Sequence, residues 1–206
     1  MAGPNATNAH PLSRIAQRYR EEDSPALQVQ VGLTRMLDID GCRQLDADLQ
    51  EFAGAWEIHT ATDDLAPALP DEAGLYMFVW RPAFQFRTSG IPGFGSFPKM
   101  LYIGQAGASR YDQGNTIRQR YKDYRRFLRG DPESLWTADE PTNRNQRLSL
   151  YLTLQPLEFW CATVKERSRI ELLEKSLIRL FNPPVNDRGR PKLRARFGTP
   201  RDAWQS

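Results

Sequence analysis

A dense apolar and aromatic run, GLYMFVW at residues 74–80, is the strongest structural signal in the chain. The run is short, rich in strand-favouring residues and closely followed by Pro82, so it predicts one central strand. After a Gly- and Pro-rich stretch at residues 88–98, the segment MLYIG at 100–104 has the same character. Two strands joined by a wide loop predict an antiparallel pair.

One more strand and two amphipathic helices are predicted further along the chain. The strand covers residues 157–164, and the helices cover 115–129 and 168–181, the second of which is stopped by two prolines. Residues 142–154 leave two alternatives open. Their alternating leucines favour a strand, whereas the fold discussed below requires a helix.

The residues before the first strand have a different character. Residues 26–69 contain a β-like run at 27–33 and a short helix through Leu45, and they end in an acidic, proline-flanked linker at 63–67. The predicted organisation is a flexible arm at 1–25, an N-terminal elaboration at 26–69, a principal domain at 70–187 and a basic tail at 188–206.

Composition limits the class of protein. The 206-residue chain is 40% hydrophobic and 11% aromatic, which excludes a wholly disordered protein. No stretch approaches the roughly 18 apolar residues of a membrane span, and the N-terminus lacks the apolar core of a secretory signal. Two cysteines are too few for a disulfide framework, and the spacing of Cys42, Cys161, His10 and His59 matches no metal site. We therefore expect a soluble, cytoplasmic protein with no membrane partner.

The charge is unevenly distributed. Residues 1–70 hold five Arg and eleven Asp or Glu, a net charge of −6. Since the whole chain has a net charge of +3, residues 71–206 carry a net charge of +9. The basic part is where a polyanion would bind. The candidate nucleic-acid-binding residues are Arg118, Lys122, Arg125, Arg126, Arg188, Arg190 and Lys192.

Each predicted helix carries one charge on its apolar face. At about 100° per residue, Glu174 falls within the apolar arc of the 168–181 helix, and Arg120 falls within that of the 115–129 helix. A carboxylate on a core-facing stripe costs several kcal/mol, roughly, unless a cation, a metal or a hydrogen-bond network compensates. Two explanations are open: a buried Glu174–Arg120 ion pair that joins the helices, and a catalytic site.

The two predicted strands and the basic helix carry a pattern that resembles the GIY-YIG nuclease family. Gly74-Leu75-Tyr76 and Tyr102-Ile103-Gly104 look like the two halves of the family signature. The family's helix arginine, followed four residues later by Tyr or His, is matched by Arg120 and Tyr124.

The last helix extends the resemblance. The family's glutamate, twelve residues before an asparagine, is matched by Glu174 and Asn186, so the resemblance covers about residues 70–187. It implies an α+β fold with a small three-stranded antiparallel sheet flanked by helices. It also implies a divalent-metal-dependent phosphodiesterase whose partner is DNA.

The resemblance assigns a role to each matched residue. Glu174 would bind Mg²⁺ or Mn²⁺, hard cations that prefer carboxylate oxygen. Arg120 would hold the scissile phosphate through its planar guanidinium. Tyr76, in preference to Tyr102, would be the general base or align the water, Tyr124 would hydrogen-bond near the phosphate, and Asn186 would order the site from outside it.

The chain departs from the family at the residue after the second signature glycine. Several members have Lys there, and Gln105 replaces it, so a phosphate contact from that position would lack a charge. The leading prediction is a DNA endonuclease of the restriction, repair or mobile-element type. The alternative is a catalytically weak nucleic-acid-binding module with a structural Glu174–Arg120 pair. One site per chain favours a homodimer or sequential nicking when both strands of a duplex are cut.

Overall fold

The computed structural model describes residues 33–82, 98–108, 114–136, 141–188 and 190. Some predictions lie outside these residues. They are the arm at 1–25, nearly all of the β-like run at 27–33, and the tail beyond Arg190, which includes Lys192.

The described part of the chain forms one antiparallel sheet of four strands in the order β1–β4–β2–β3. The strands are β1 (Glu57–Thr60), β2 (Gly74–Trp80), β3 (Lys99–Ala106) and β4 (Leu157–Thr163). The three predicted strands are thus confirmed as β2, β3 and β4. The antiparallel pairing of β2 with β3 is also confirmed.

The fourth strand corrects the expectation of a three-stranded sheet. It comes from the N-terminal elaboration and pairs antiparallel with β4, with Glu57 opposite Cys161 and Thr60 opposite Glu158. Without β1, β4 would be an exposed edge with unpaired backbone groups, so this short strand satisfies them. Its four residues are too few to give a recognisable alternation in the sequence.

Helices cover both faces of the sheet. The helices of the described residues are α1 (Leu33–Met36), α2 (Ile39–Phe52), α3 (Ile117–Leu128), α4 (Pro132–Trp136), α5 (Arg144–Tyr151) and α6 (Arg167–Phe181). The predicted amphipathic helices are confirmed as α3 and α6, and the short helix through Leu45 is confirmed as α2. No helix among the described residues is long and apolar enough to cross a bilayer.

Residues 144–151, for which the sequence left strand and helix open, form the helix α5. The Asn143 side chain accepts a hydrogen bond from the Gln146 backbone N–H at 3.0 Å. The Gln146 side chain accepts one from the Asn143 backbone N–H at 3.3 Å. This reciprocal pair is a capping box, which satisfies free donors in the first turn and favours the helix over a strand.

Strand β2 separates two apolar cores. Tyr76 and Phe78 pack with α3 and α5 on one face, whereas Leu75, Met77 and Val79 pack with α2 and α6 on the other. A strand that is covered on both faces is apolar along its whole length. This arrangement explains why residues 74–80 give the strongest signal in the sequence.

Residues 61–69 pack against the core and do not form a free linker. Leu65, Ala66 and Leu69 are buried against the face that carries Tyr76, and a 3₁₀ turn spans Ala66–Ala68. The acidic and proline residues that suggested a linker occupy the outward positions of a compact connection. The N-terminal elaboration is therefore packed onto the principal domain.

Two signature glycines stand where a side chain would not fit. A Cβ at Gly74 would lie 2.2 Å from the Ala162 carbonyl oxygen, and a Cβ at Gly104 would lie 2.6 Å from both the Cζ and the hydroxyl oxygen of Tyr76. Gly74 therefore permits the close approach of β4, and Gly104 makes room for the Tyr76 ring on the neighbouring strand.

Candidate active site

Three tyrosine hydroxyls form a hydrogen-bonded chain beside the edge strand β3. Tyr76 on β2 donates to Tyr124 on α3 at 3.3 Å, and Tyr124 donates to Tyr102 on β3 at 2.8 Å. The exposed fractions are 1% for Tyr76, 6% for Tyr124 and 8% for Tyr102. The structure thus brings together the two signature tyrosines and the helix tyrosine that the sequence singled out.

Arg144, at the start of α5, completes this cluster and was not predicted from the sequence. Its Nη2 donates to the hydroxyls of Tyr102 and Tyr124, at 2.8 Å in each case, and its Cζ lies 5.2 Å from the centre of the Tyr102 ring. Arg144 was missed because its segment was undecided between strand and helix. The Asn143–Gln146 capping pair was the available signal, since it makes Arg144 the first residue of a helix.

The cluster sets the protonation of its members. Burial raises the pKa of Tyr76 well above its ordinary value, and the neighbouring Tyr102 and Tyr124 raise it further. Burial and Tyr124 also raise the pKa of Tyr102, but Arg144 acts in the opposite direction. Of Tyr76 and Tyr102, Tyr102 is therefore the phenol whose ionised form would have a hydrogen-bonded cation beside it.

Tyr102 also lines a cavity of about 640 Å³ at the β3 edge of the sheet. The same cavity is lined by Arg144, Glu174, Asn186 and Asp187, and we name it the Glu174 cavity. Tyr102 belongs to one face of the sheet and α6, which carries Glu174, covers the other. Tyr102 and Glu174 line the same cavity because β3 is an edge strand of the sheet, and the helical layers on the two faces of the sheet meet beside that edge.

Glu174 behaves as the helical wheel predicted. Its neighbours Ile170, Leu173 and Leu177 are buried, and it is half-buried among them on α6. Burial, and the like charge of Glu171, raise the pKa of the Glu174 carboxyl from 4.5 to about 7, against the opposing effects of Lys175 and Arg120. The site therefore holds a carboxylate whose charge lacks full compensation.

Arg120 lines a second, adjoining cavity of about 430 Å³, which we name the Arg120 cavity. Lys122, Arg126, Tyr124 and Arg144 also line it, with Asp123 as an acidic neighbour. Arg144 lines both cavities. The Arg120 cavity carries a local excess of positive charge, which suits an anionic ligand.

Arg120 and Glu174 act on each other at a distance. Arg120 lowers the pKa of Glu174, yet it is the smallest of the named influences on that carboxyl. The ion pairs within 4 Å among the described residues include Arg118–Asp71, Arg129–Asp63 and Lys175–Glu171, and none joins Arg120 to Glu174. The structure therefore places the two charges in neighbouring cavities instead of in direct contact.

Asn186 forms two hydrogen bonds with the backbone at the outer edge of β3. Its Oδ1 accepts a hydrogen bond from the Ile103 backbone N–H at 2.9 Å, and its Nδ2 donates to the Ile103 carbonyl at 2.7 Å. The adjacent Val185 N–H donates to the Leu101 carbonyl at 3.1 Å. Asn186 therefore completes the outer edge of the strand that carries Tyr102, in line with the predicted role of ordering the site.

The predicted nucleic-acid-binding residues fall into two groups. Lys122 and Arg126 line the Arg120 cavity, and Arg188 lines the Glu174 cavity. The other three that the structure describes contact the protein itself: Arg118 pairs with Asp71 at 3.3 Å, Arg125 donates to the Asp63 carbonyl at 3.4 Å, and Arg190 donates to the Asn182 side chain at 2.7 Å. The first group is the better placed to bind phosphates near the site.

The residues of the Glu174 cavity fit a hard divalent cation. Three carboxylates line it, but Glu171 is paired with Lys175, and Asp187 is paired with Arg147. Among the described residues, Glu174 is the carboxylate of this cavity without an ion pair, and burial raises its pKa. A divalent ion would compensate that charge, and carboxylate oxygen is its preferred ligand.

Comparison with protein-family models, curated proteins and solved structures gave no match to this chain. The residues of the two cavities and their geometry are therefore the basis on which a function is inferred.

Proposed function

We propose that the protein is a divalent-metal-dependent DNA endonuclease of the GIY-YIG type, which hydrolyses phosphodiester bonds. The supporting observation is that Tyr102, Arg144 and Glu174 line one cavity and that Arg120 lines the adjoining one. Phosphodiester hydrolysis needs an oriented water, positive charge on the phosphate and help for the leaving oxygen. The residue types of the two cavities match these three needs.

The scissile phosphate is proposed to lie at the boundary of the two cavities. Arg144 lines both of them and reaches the Tyr102 hydroxyl at 2.8 Å. Arg120 lines the Arg120 cavity and therefore lies on one side of this boundary. Two guanidiniums can then bind oxygens of one phosphate, whose developing charge they stabilise in the transition state.

Tyr102 is proposed to orient the attacking water and, in its phenolate form, to take the proton of that water. This choice differs from the preference for Tyr76 that the family resemblance implied. Tyr76 is 1% exposed, and its hydroxyl donates to Tyr124. The Tyr102 oxygen accepts hydrogen bonds from Tyr124 and Arg144, and the Arg144 cation acts to lower the pKa of Tyr102 and so stabilises its phenolate. Tyr76 would then hold Tyr124 in place.

Glu174 is proposed to hold the Mg²⁺ or Mn²⁺ ion. When bound, such an ion supplies Lewis-acid stabilisation to the phosphate and the departing oxygen. Asn186 keeps the β3 edge in register, so that Tyr102 stays beside Glu174 in the same cavity.

DNA is proposed to approach along the residues of the two cavities. Lys122 and Arg126 extend the positive charge on one side of the site, and Arg188 extends it on the other. Contacts of this kind give affinity that falls with salt and carry no sequence readout. Replacement of Lys122 and Arg126 should therefore weaken binding to all sequences alike.

The alternative of a binding module with a structural Glu174–Arg120 pair has less support. A direct pair would oppose the effect of burial on the pKa of Glu174, whereas burial prevails and raises that pKa from 4.5 to about 7. The pair is also not among the ion pairs of the described residues. A carboxylate held at this cost is better explained by a ligand of positive charge.

The test is nicking of supercoiled plasmid with Mg²⁺ or Mn²⁺, together with binding of the same DNA. Wild-type protein should nick, and EDTA or Glu174→Gln should stop nicking but leave DNA binding intact. Glu51→Gln, at an exposed position on α2, is the matched control and should nick like wild type. Binding without cleavage by the wild-type protein, on plasmid, branched and single-stranded DNA, would contradict the proposal.

The same reaction reports on a homodimer. Because each chain supplies one site, cutting both strands requires two copies or two successive events. Accumulation of nicked circles before linear DNA indicates successive nicking, whereas direct conversion to linear DNA at a rate that depends on protein concentration indicates two copies.

A further inference from the structure

The pairing of β1 with β4 places three possible metal ligands on one face of the sheet. Glu57 lies directly opposite Cys161, and His59 lies opposite Phe159. Because side chains alternate along a strand, residues 57 and 59 point to the same side, which is the side of Cys161. No sequence motif indicates this cluster, since Cys161 is about one hundred residues away from Glu57 and His59 and the three share no ligand spacing.

The ligand atoms of the three side chains are close together. A Glu57 carboxylate oxygen, a His59 ring nitrogen and the Cys161 sulfur all lie within 4.8 Å of one another, and His59 Nε2 is 3.1 Å from Glu57 Oε2. Metal–ligand bonds of about 2.0–2.3 Å place tetrahedral ligands roughly 3.3–3.8 Å apart. Side-chain shifts on the order of 1 Å would thus bring all three atoms onto one ion.

The burial of the ligands gives the cluster an open side and a closed side. The side chains of His59 and Glu57 are 25% and 51% exposed, whereas Cys161 is buried in the core beside Phe159. An ion would enter past the two partly exposed ligands and meet the sulfur at the bottom of the site. Protein residues would supply three ligands, which leaves a fourth position for water.

The donor set selects the kind of metal. One sulfur, one imidazole nitrogen and one carboxylate oxygen suit Zn²⁺ and similar transition metals, whereas Mg²⁺ prefers oxygen alone. The cluster therefore differs in chemistry from the oxygen ligands of the Glu174 cavity.

We propose that Glu57, His59 and Cys161 bind one Zn²⁺-like transition-metal ion that fastens the edge strand β1 to β4. Binding forms a bond between the metal and the Cys161 sulfur and releases the thiol proton to solvent. Four residues of β1 pair with β4 as the outermost strand of the sheet, and an edge strand of that length gains much from a cross-link. The ion cross-links the two strands and is independent of the proposed cleavage reaction.

The first test is titration of the metal-free full-length protein with Co²⁺, which reports its ligands by absorption. Wild-type protein should give a thiolate-to-cobalt charge-transfer band at one equivalent, and Zn²⁺ should remove the band by displacement. Cys42→Ser should keep it, because Cys42 lies on α2, away from the cluster. Cys161→Ser should lose the band, and His59→Ala should bind Co²⁺ at least tenfold more weakly.

The second test measures stability and keeps the proposal falsifiable if Cys161→Ser folds poorly. Zn²⁺ at about one hundred times its dissociation constant should raise the melting temperature of wild-type and Cys42→Ser protein by about 5–10 °C. His59→Ala, on the partly exposed strand, should fold and, because it binds the ion at least tenfold more weakly, should show no more than about half of this rise. Absence of the charge-transfer band in wild-type protein, or an equal Zn²⁺ response in His59→Ala, would overturn the proposal. Glu174→Gln should retain the band, which separates this site from the proposed catalytic one.

Discussion

Tyr124 donates a hydrogen bond to the hydroxyl oxygen of Tyr102 at 2.8 Å, and thereby joins α3 to the edge strand β3. The same oxygen accepts from Arg144. Its two acceptor positions are therefore filled by donors from two helices. The remaining hydroxyl hydrogen of Tyr102 is left to point away from both, and the Tyr102 side chain lines the Glu174 cavity.

The two signature tyrosines should respond differently to removal of their hydroxyls. Tyr102→Phe should lower single-turnover cleavage by about 10²–10⁴-fold, the usual contribution of a general base. Tyr76→Phe should lower it by no more than about tenfold, because its hydroxyl touches Tyr124 and not the cavity. Cleavage rates of the two variants at saturating DNA test this difference, and melting temperatures serve as the folding control. The reverse order of effects would return the role of base to Tyr76.

Arg144 should be as important for the cleavage rate as the residues of the signature motif. Arg144→Met removes a cation that lowers the pKa of Tyr102, so the rise of the cleavage rate with pH should move to higher pH as well as fall in amplitude. Arg144→Lys keeps the charge and should restore part of the rate, but not the paired hydrogen bonds. Arg179→Met, at an exposed position on α6, is the control. An unchanged pH profile in Arg144→Met would show that Arg144 acts on packing alone.

The sequence predicted those parts of the site that local periodicity determines. The wheel positions of Arg120 and Glu174 depend on one helix each, and both side chains are half-buried, as those positions predict. Arg144 and the strand β1 escaped prediction for a shared reason. Each occupies a short segment whose structure is decided by contacts with distant residues, Tyr102 and β4 respectively. Local propensity predicts secondary structure least well where pairing with distant residues determines that structure.

The signature glycine on β3 should be required for packing and not for chemistry. Gly104→Ala places a Cβ 2.6 Å from the Tyr76 hydroxyl oxygen. The Tyr76 ring stacks on the Phe159 ring, with the ring centres 5.6 Å apart, and this contact restricts any shift of Tyr76 away from the new methyl group. We expect a loss of about 1–3 kcal/mol in the free energy of unfolding, as for other overpacked cores. Gly114→Ala is the matched control, because nothing lies within 4 Å of the position that its methyl group would take. Equal urea midpoints for the two variants would contradict this account.

The Glu174 carboxylate should make the metal-free protein less stable as the pH rises. Its pKa is 4.5 when unperturbed and about 7 in the folded protein. The folded state thus binds more protons between these values, and the free energy of unfolding falls as the pH rises from 4.5 to 7. Glu174→Gln removes this loss and should stabilise the protein above pH 7 by an amount on the order of 1–3 kcal/mol.

Urea unfolding in EDTA at about pH 5 and about pH 8, on either side of the folded-state pKa, measures this effect. The difference between Glu174→Gln and wild type should be small at the lower pH and larger at the higher one, and Glu51→Gln should show no such growth with pH. Mg²⁺ should narrow the gap at the higher pH, because a cation bound by Glu174 stabilises the wild-type protein alone. A structural Glu174–Arg120 pair predicts the opposite sign, since loss of one partner would leave Glu174→Gln less stable than wild type there. The sign of one stability difference therefore separates a ligand site from a structural ion pair without any measurement of cleavage.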